Sequence, residues 1–231
     1  MGGLYEDTRL RNRTEVFPDR ETAGEQIGLF LRERFTFPRP VVCPIPAGGI
    51  PIGIPIARTL DAPLRPVVVR KIQIPWNTES GFGAVTWTGD VVINQDLLKR
   101  LHLSSVEIER AISRAKASVE ERIRKYASIR PLPDITGRTA ILTDDGLASG
   151  FTMRAAIDSI RLQNPERVVV AVPTGSLAAV RMVSAHADDL ICLNIRGGFS
   201  FAVADAYSHW HDLSEEEVRA YLDQAVQEGL Y

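Results

Sequence analysis

The chain has 231 residues, of which 45% are hydrophobic and 24% charged, with a formal net charge of -2. This composition is typical of a globular protein with a sizeable core, and it lacks the basic excess that would indicate nucleic acid as a partner. The longest uncharged stretch, residues 40–57, holds five prolines and three glycines, which excludes a membrane helix there. With no apolar signal core near the N-terminus, we expect a cytoplasmic protein without a membrane partner.

The first half of the chain reads as a helix, two buried strands and a hairpin. After a polar and loosely held segment, residues 1–19, apolar residues at helical spacing predict a helix over residues 20–35. Residues 41–45 and 66–69 are apolar enough to be buried strands, and a glycine turn and a helix through Arg58 lie between them. The following segment, residues 73–94, predicts a loop-like lid and then a hairpin.

The second half alternates helices with apolar strands. A long amphipathic helix is expected over residues 104–126, capped by Ser105. The later segments fall into two sets. Strands are predicted at residues 139–143, 167–172 and 190–193. Helices are predicted at residues 151–162, from about Ser176, and after Ser214.

This order predicts the α/β class, with a doubly wound parallel sheet covered by helices on both faces. We expect a core over residues 20–195 and a C-terminal hood and helix over residues 196–231. The two cysteines, Cys43 and Cys192, lie within apolar strands and are expected to be buried, reduced thiols. In such sheets, ligands bind at the carboxyl ends of the strands.

Residues 140–152 are the most informative stretch. A short apolar strand ends in Asp144 and Asp145, and a small-residue turn then leads into a helix. Unpaired amides at a helix N-terminus attract phosphate, and Ser149 and Thr152 add hydroxyl donors. Two carboxylates could accept hydrogen bonds from a ribose diol, so the segment indicates a ribose 5-phosphate site. The alternative is an ordinary helix cap after a tight turn.

The same segment resembles the phosphoribosyl diphosphate (PRPP) motif of type I phosphoribosyltransferases, with Ser149 where Thr is more usual. The resemblance implies that Asp144 and Asp145 are catalytic residues that clamp the ribose. It also implies a set of residues around the 5-phosphate: Leu147, Ala148, Ser149, Gly150, Phe151 and Thr152.

A second turn, Pro46-Ala47-Gly48-Gly49, follows the first strand of the predicted core. Taken alone it is a tight turn before a helix, although consecutive glycines also allow amides to converge on an anion. The resemblance implies that Ala47, Gly48 and Gly49 bind the pyrophosphate of PRPP. Family members usually carry a basic residue before the paired glycines, and Ala47 departs from that pattern.

The segment after the second strand carries Arg70 and Lys71, cations that would offset charge on the phosphates. Lys71, Pro75, Asn77, Glu79 and Gly83-Ala84-Val85 match a pattern found in an uncharacterised bacterial and archaeal group of phosphoribosyltransferases. That match implies catalytic roles for Lys71 and Glu79, pyrophosphate binding by Arg70, and a mobile lid over residues 73–83.

The aromatic stretch near the C-terminus is either core or a hood that holds the acceptor base. The family places such a hood here, which implies four base-contacting rings: Phe199, Phe201, Tyr207 and Trp210. It further implies Mg²⁺ on the pyrophosphate and ribose oxygens, with the aspartates near it or acting through water, and a homodimer. Ala148 stands where enzymes of 6-oxopurines usually carry an acid, so the acceptor stays open.

Three hypotheses follow. The first is an active phosphoribosyltransferase that joins PRPP to a nitrogenous acceptor and releases pyrophosphate. The second is a catalytically weak module of the same fold that senses PRPP or a nucleotide. The third is an unrelated doubly wound enzyme, such as a methyltransferase, whose aspartates bind another ribose.

Overall fold

The computed structural model describes residues 2–125, 134–198 and 200–230, with backbone alone for residues 78–80. In chain order the strands of this part are β1 (Gly3–Tyr5), β2 (Pro40–Pro44), β3 (Val69–Ile74), β4 (Asn77–Thr86), β5 (Val91–Ile93), β6 (Thr139–Thr143), β7 (Arg167–Ser176) and β8 (Asp189–Arg196). The α-helices are α1 (Arg20–Arg34), α2 (Gly49–Leu60), α3 (Gln95–Leu101), α4 (Ser105–Lys125), α5 (Phe151–Arg161), α6 (Leu177–Ser184) and α7 (Glu215–Gln227).

The larger sheet confirms the predicted class. Its five strands are parallel and lie in the order β1-β8-β7-β6-β2. Successive side chains of a strand point to opposite faces, so Val168 and Val169 of β7 belong to different apolar clusters. Helices α5 and α6 cover the face of Val168, and helices α1, α2 and α7 cover the face of Val169.

A second, antiparallel sheet of strands β3, β4 and β5 packs on α4. Here the loop predicted for residues 73–83 is wrong, because most of it forms the end of β3 and the first part of β4. The strand predicted at residues 66–69 is also misplaced. Residues 64–67 run beside β2 and form isolated backbone hydrogen bonds with it, without forming a strand. Regular strand pairing begins at Val69, where β3 pairs with β4 in the antiparallel sheet.

The N-terminal segment, expected to be loosely held, is part of the fold. Strand β1 extends the parallel sheet at its β8 edge. The side-chain amide of Asn194 donates to the carbonyls of Leu10 and Arg13, and Phe17 is fully buried. Residues 1–19, the core and the hood therefore contribute to one apolar cluster.

The helix caps explain where several helices begin. Ser214 caps α7 and exchanges hydrogen bonds with Glu217 in a capping box. The same reciprocal pattern joins Ser104 to Glu107, so Ser104 precedes α4 as its cap in place of the expected Ser105. Both cysteines are free and buried, as predicted, and burial raises the pKa of the Cys43 thiol to about 12. Among the helices that the structure describes, none combines the length and apolarity needed to cross a bilayer.

Phe17 tests whether the N-terminal segment contributes to stability. Replacing this buried ring with alanine should lower the free energy of unfolding by about 3–5 kcal/mol, because it leaves a cavity against Tyr207. Denaturant unfolding followed by circular dichroism measures the loss. Leu29→Ala removes an exposed side chain and is the control, with an expected change of roughly 0.5 kcal/mol or less. An equal, small loss in both variants would contradict the packing described here.

Candidate functional site

The site is built around Asp144 and Asp145, which follow β6 and which we call the acidic pair. Strand β6 is buried along its whole length, so it delivers both carboxylates to the carboxyl edge of the sheet. Its neighbour β2 ends at the same edge, with Pro44 opposite Thr143. The turns after the two strands are therefore side by side, as the sequence predicts for a ligand site.

Asp145 is hydrogen-bonded to residues that are distant in sequence. Its Oδ2 accepts a hydrogen bond from Arg20 Nε at 3.0 Å, within an ion pair that is mostly buried. Tyr207 Oη donates to the Asp145 carbonyl at 2.7 Å, and the Arg20 guanidinium lies 3.8 Å from the ring centroid of Trp210. Tyr207 and Trp210 thus support the acidic pair and pack in the core below it. The sequence-based assignment of these two rings to a base is not supported by their contacts.

Burial raises the pKa of both carboxyls. The pKa of Asp144 lies well above its ordinary value, first because of desolvation and then because of the neighbouring charge of Asp145. The positive charges of Arg20 and Arg122 oppose that rise. Desolvation also raises the pKa of Asp145, and Arg20 is its main opposing influence. Cations or hydrogen-bond donors brought to the pair would therefore favour its ionised form.

The turn after the acidic pair, residues 146–150, is called the β6 turn. It ends in Gly150, whose φ of 77° is the left-handed conformation that glycine adopts without strain. Gly150 is the N-cap of α5, and no side chain caps the amides of the first turn of that helix. A cavity of about 120 Å³ opens here, lined by Asp144, residues 146–150, Thr152 and Met153. Uncapped amides facing a small cavity are the arrangement that binds a phosphate group.

Two residues of the β6 turn have structural contacts that the sequence did not reveal. The Leu147 amide donates to the Thr174 carbonyl and its side chain is buried, so Leu147 anchors the turn to β7 and offers neither group to a ligand. The prediction that Leu147 contacts the 5-phosphate is therefore wrong. The Ala148 carbonyl accepts a hydrogen bond from Ser176 Oγ at 2.8 Å. Ser149, Phe151 and Thr152 are exposed beside the uncapped amides.

The turn after β2, residues 45–48, is called the β2 turn and contains a cis peptide bond between Pro46 and Ala47. Asp145 lies directly against this turn, because a Cβ at Gly48 would collide with its carboxylate. The amide of Gly49 already donates to the Ile45 carbonyl at 3.0 Å, so Gly49 cannot offer that amide to an anion as predicted. In the described chain, the amides of Ala47 and Gly48 donate to no protein acceptor.

Arg70 connects the two turns. It lines a cavity of about 220 Å³ together with Ala47 of the β2 turn. It also lines a larger cavity of about 440 Å³ that reaches Lys71 and, beside the β6 turn, Thr152. The structure therefore brings Arg70 next to both turns, and it brings Lys71 into the cavity that reaches Thr152 beside the β6 turn. The side chain of Glu79, also predicted to be catalytic, lies outside the described residues.

The hood reaches the site through a residue that the sequence analysis missed. A Cβ at Gly146 would lie 2.7 Å from Val203 Cγ1, so Val203 packs directly on the β6 turn. Phe201 is half-buried, with the Arg196 guanidinium 5.2 Å from its ring centroid, and Phe199 lies outside the described residues. A lone valine between alanines has no sequence pattern that indicates a ligand contact, whereas aromatic rings are typical of base-binding sites.

The described residues contain no group of three or more His, Cys, Asp and Glu side chains able to hold a metal ion. The acidic pair is the only feature of the site suited to a divalent cation within that part of the chain. Two carboxylates are sufficient for Mg²⁺ only when a bound substrate and waters complete its coordination. Any metal here fits a role as part of the substrate complex.

The chain is similar to several known proteins. A family model described as "Phosphoribosyl transferase domain" matches residues 88–206, just over half of the chain. Two Mycobacterium tuberculosis proteins named "Putative phosphoribosyl transferase", from strains CDC 1551 and H37Rv, are each 34% identical over 211 residues, covering 91% of this chain and 47% of theirs. The chain thus spans about half the length of these curated relatives. The crystal structure of TT1426 from Thermus thermophilus is 33% identical with a TM-score of 0.81, covering 90% of this chain and 98% of that one.

Asp144 provides a test of the site's electrostatics. Because its pKa is raised on folding, ionising it disfavours the folded state, and stability is lost as pH rises from the unfolded value through the folded one. Asp144→Asn keeps an oxygen for the Asp145 amide but removes the charge. It should raise the free energy of unfolding at pH 8 by roughly 1 kcal/mol, or about 2–4 °C in Tm. The gain should shrink towards pH 4, and scanning calorimetry across this range measures it. A variant less stable than the parent at pH 8 would contradict the assignment.

Proposed function

Because the chain belongs to the phosphoribosyl transferase domain family, we propose that it transfers the 5-phosphoribosyl group of PRPP to a nitrogenous acceptor with release of pyrophosphate. The observation that carries the proposal is the uncapped start of α5 beside the buried acidic pair. The amides would bind the 5-phosphate, with Ser149 and Thr152 adding hydroxyls. The acidic pair would accept hydrogen bonds from the ribose hydroxyls.

The reaction breaks the bond between C1 of the ribose and the pyrophosphate oxygen, and the electron pair leaves with pyrophosphate. The acceptor nitrogen donates its lone pair to C1 and loses a proton to solvent. Positive charge on the ribose and negative charge on the leaving group both grow in the transition state. In this proposal the acidic pair would stabilise the first charge, and Arg70 and Lys71, which line the neighbouring cavities, would stabilise the second.

Mg²⁺ is proposed as part of the donor complex, where it supplies charge neutralisation on the pyrophosphate and ribose oxygens. The acidic pair fits this role directly or through water, because it offers two carboxylates and leaves the remaining positions to substrate and solvent. The surrounding chain contributes the hydrogen bond of Arg20, which keeps Asp145 oriented.

The acceptor is proposed to lie between the β6 turn and the hood. Val203 packs on Gly146 there, and Phe201 is close by in sequence on the same segment. Ala148 is exposed at this place and provides no carboxylate to a base. We therefore propose an acceptor other than a 6-oxopurine. A homodimer in the cytoplasm is part of the same proposal.

Titration calorimetry with PRPP and Mg²⁺ tests the donor assignment. Asp144→Asn and Asp145→Asn should each weaken PRPP binding by about tenfold or more, because each removes a charged acceptor for the ribose hydroxyls. Asp158→Asn, a change of the same kind on α5 away from the turn, is the control and should bind as the parent does. Unchanged PRPP affinity in both site variants would refute the proposed contact between the acidic pair and the ribose.

Pyrophosphate release across a panel of bases then distinguishes turnover from sensing. A transferase should release one pyrophosphate for each nucleotide formed with at least one acceptor. Saturable PRPP binding with no release for any acceptor would favour a sensing role of the same site. No saturable PRPP binding by the parent protein would exclude both.

A further inference from the structure

The long helix α4 places an arginine against the β2 turn. Arg122 Nη1 donates at 2.7 Å to the Pro46 carbonyl, which belongs to the cis peptide bond between Pro46 and Ala47. The apolar stripe of α4, including Ala115 and Val119, packs on the small sheet and fixes the rotation of the helix. Arg122 follows Val119 by three positions, so it projects from nearly the same side of the helix as that stripe. Its position is therefore set by packing and does not depend on a flexible loop.

Arg122 and Ala47 line one cavity of about 220 Å³, and its other charged lining residues are Arg70, Lys125, Glu121 and Glu215. Lys125 is already engaged by two carboxylates, Glu121 and Glu215. In contrast, no carboxylate in the described ranges lies within salt-bridge distance of the Arg122 guanidinium. The half-buried guanidinium uses one of its five N–H donors on Pro46, and the cavity can receive others.

Ala47 contributes a methyl group to this cavity, and the β2 turn itself carries no positive side chain. An anion bound by the amides of Ala47 and Gly48 would thus depend on cations from other elements. We propose that Arg122 binds the pyrophosphate group of the donor and supplies, from α4, the positive charge that the β2 turn lacks at Ala47. This inference rests on the proposed function, because it assigns a residue to the same donor site.

The assignment predicts a selective effect on pyrophosphate. A guanidinium forms charge-assisted hydrogen bonds with phosphoryl oxygens, and their loss weakens binding by about 10- to 100-fold. Those oxygens gain charge as the bond to C1 breaks, so Arg122 would act on release as well as on binding. The 5-phosphate lies at the other turn and should not depend on Arg122.

Calorimetry with two separate ligands, magnesium pyrophosphate and ribose 5-phosphate, tests this on the full chain. Arg122→Gln keeps an N–H donor for Pro46 but removes the charge, and it should weaken pyrophosphate binding by about 10- to 100-fold with ribose 5-phosphate affinity unchanged. Arg122→Lys keeps the charge and should retain most of the affinity. Lys116→Ala removes one exposed positive charge from the same helix and should match the parent.

A double variant tests whether a positive charge on the β2 turn can replace that of Arg122. Adding Ala47→Lys to Arg122→Gln should recover at least part of the lost pyrophosphate affinity, although it cannot replace the hydrogen bond to Pro46. The inference is overturned if Arg122→Gln binds pyrophosphate like the parent, or if it loses both ligands equally, since Arg122 would then only support the site. A parent protein that binds neither ligand would instead refute the proposed function.

Discussion

The burial of two adjacent carboxylates at the end of β6 is the constraint on which the site depends. Removal from water raises the pKa of both carboxyls, and the charge of Asp145 raises the pKa of Asp144 further. Arg20 opposes part of this rise through a largely buried ion pair with Asp145. Arg20 is in turn held by the His211 carbonyl and the Trp210 ring. Through Arg20, which compensates the charge of Asp145, helix α1 and the hood are both in contact with the acidic pair.

The parts of this fold that could be predicted are those with a strong local signal. The apolar run of β6 and the small-residue turn after it indicated a strand, a turn and a helix, and the described bounds of β6 are the predicted ones. The helix predicted after Ser214 is α7. It begins with a capping box between Ser214 and Glu217, a motif that depends only on residues close in sequence. The position of the acidic pair at a strand end followed from the same local reasoning.

The parts that could not be predicted depend on partners distant in sequence. Tyr207 belongs to the aromatic stretch near the C-terminus, and only the fold reveals that its hydroxyl donates a hydrogen bond to the Asp145 carbonyl. Strand β1 spans three residues and exists because β8 offers an open edge. Arg122 is one of several arginines on α4. The apolar stripe of α4 predicts which side of the helix is buried, but it does not reveal that Arg122 contacts the Pro46 carbonyl.

The proposed donor site draws on two kinds of anion-binding group, which differ in how much they depend on single side chains. Amides of the β6 and β2 turns are positioned by the parallel sheet, so they persist whichever side chain the turn carries. Positive charge comes instead from β3 and α4, which pack on one another outside the parallel sheet. A side chain on α4 can therefore change without disturbing the strands that hold the acidic pair. Under the proposed function, this separation would allow a turn that carries Ala47 to take part in binding a strongly charged ligand, because the parallel sheet positions the amides and the layer of β3 and α4 supplies the positive charge.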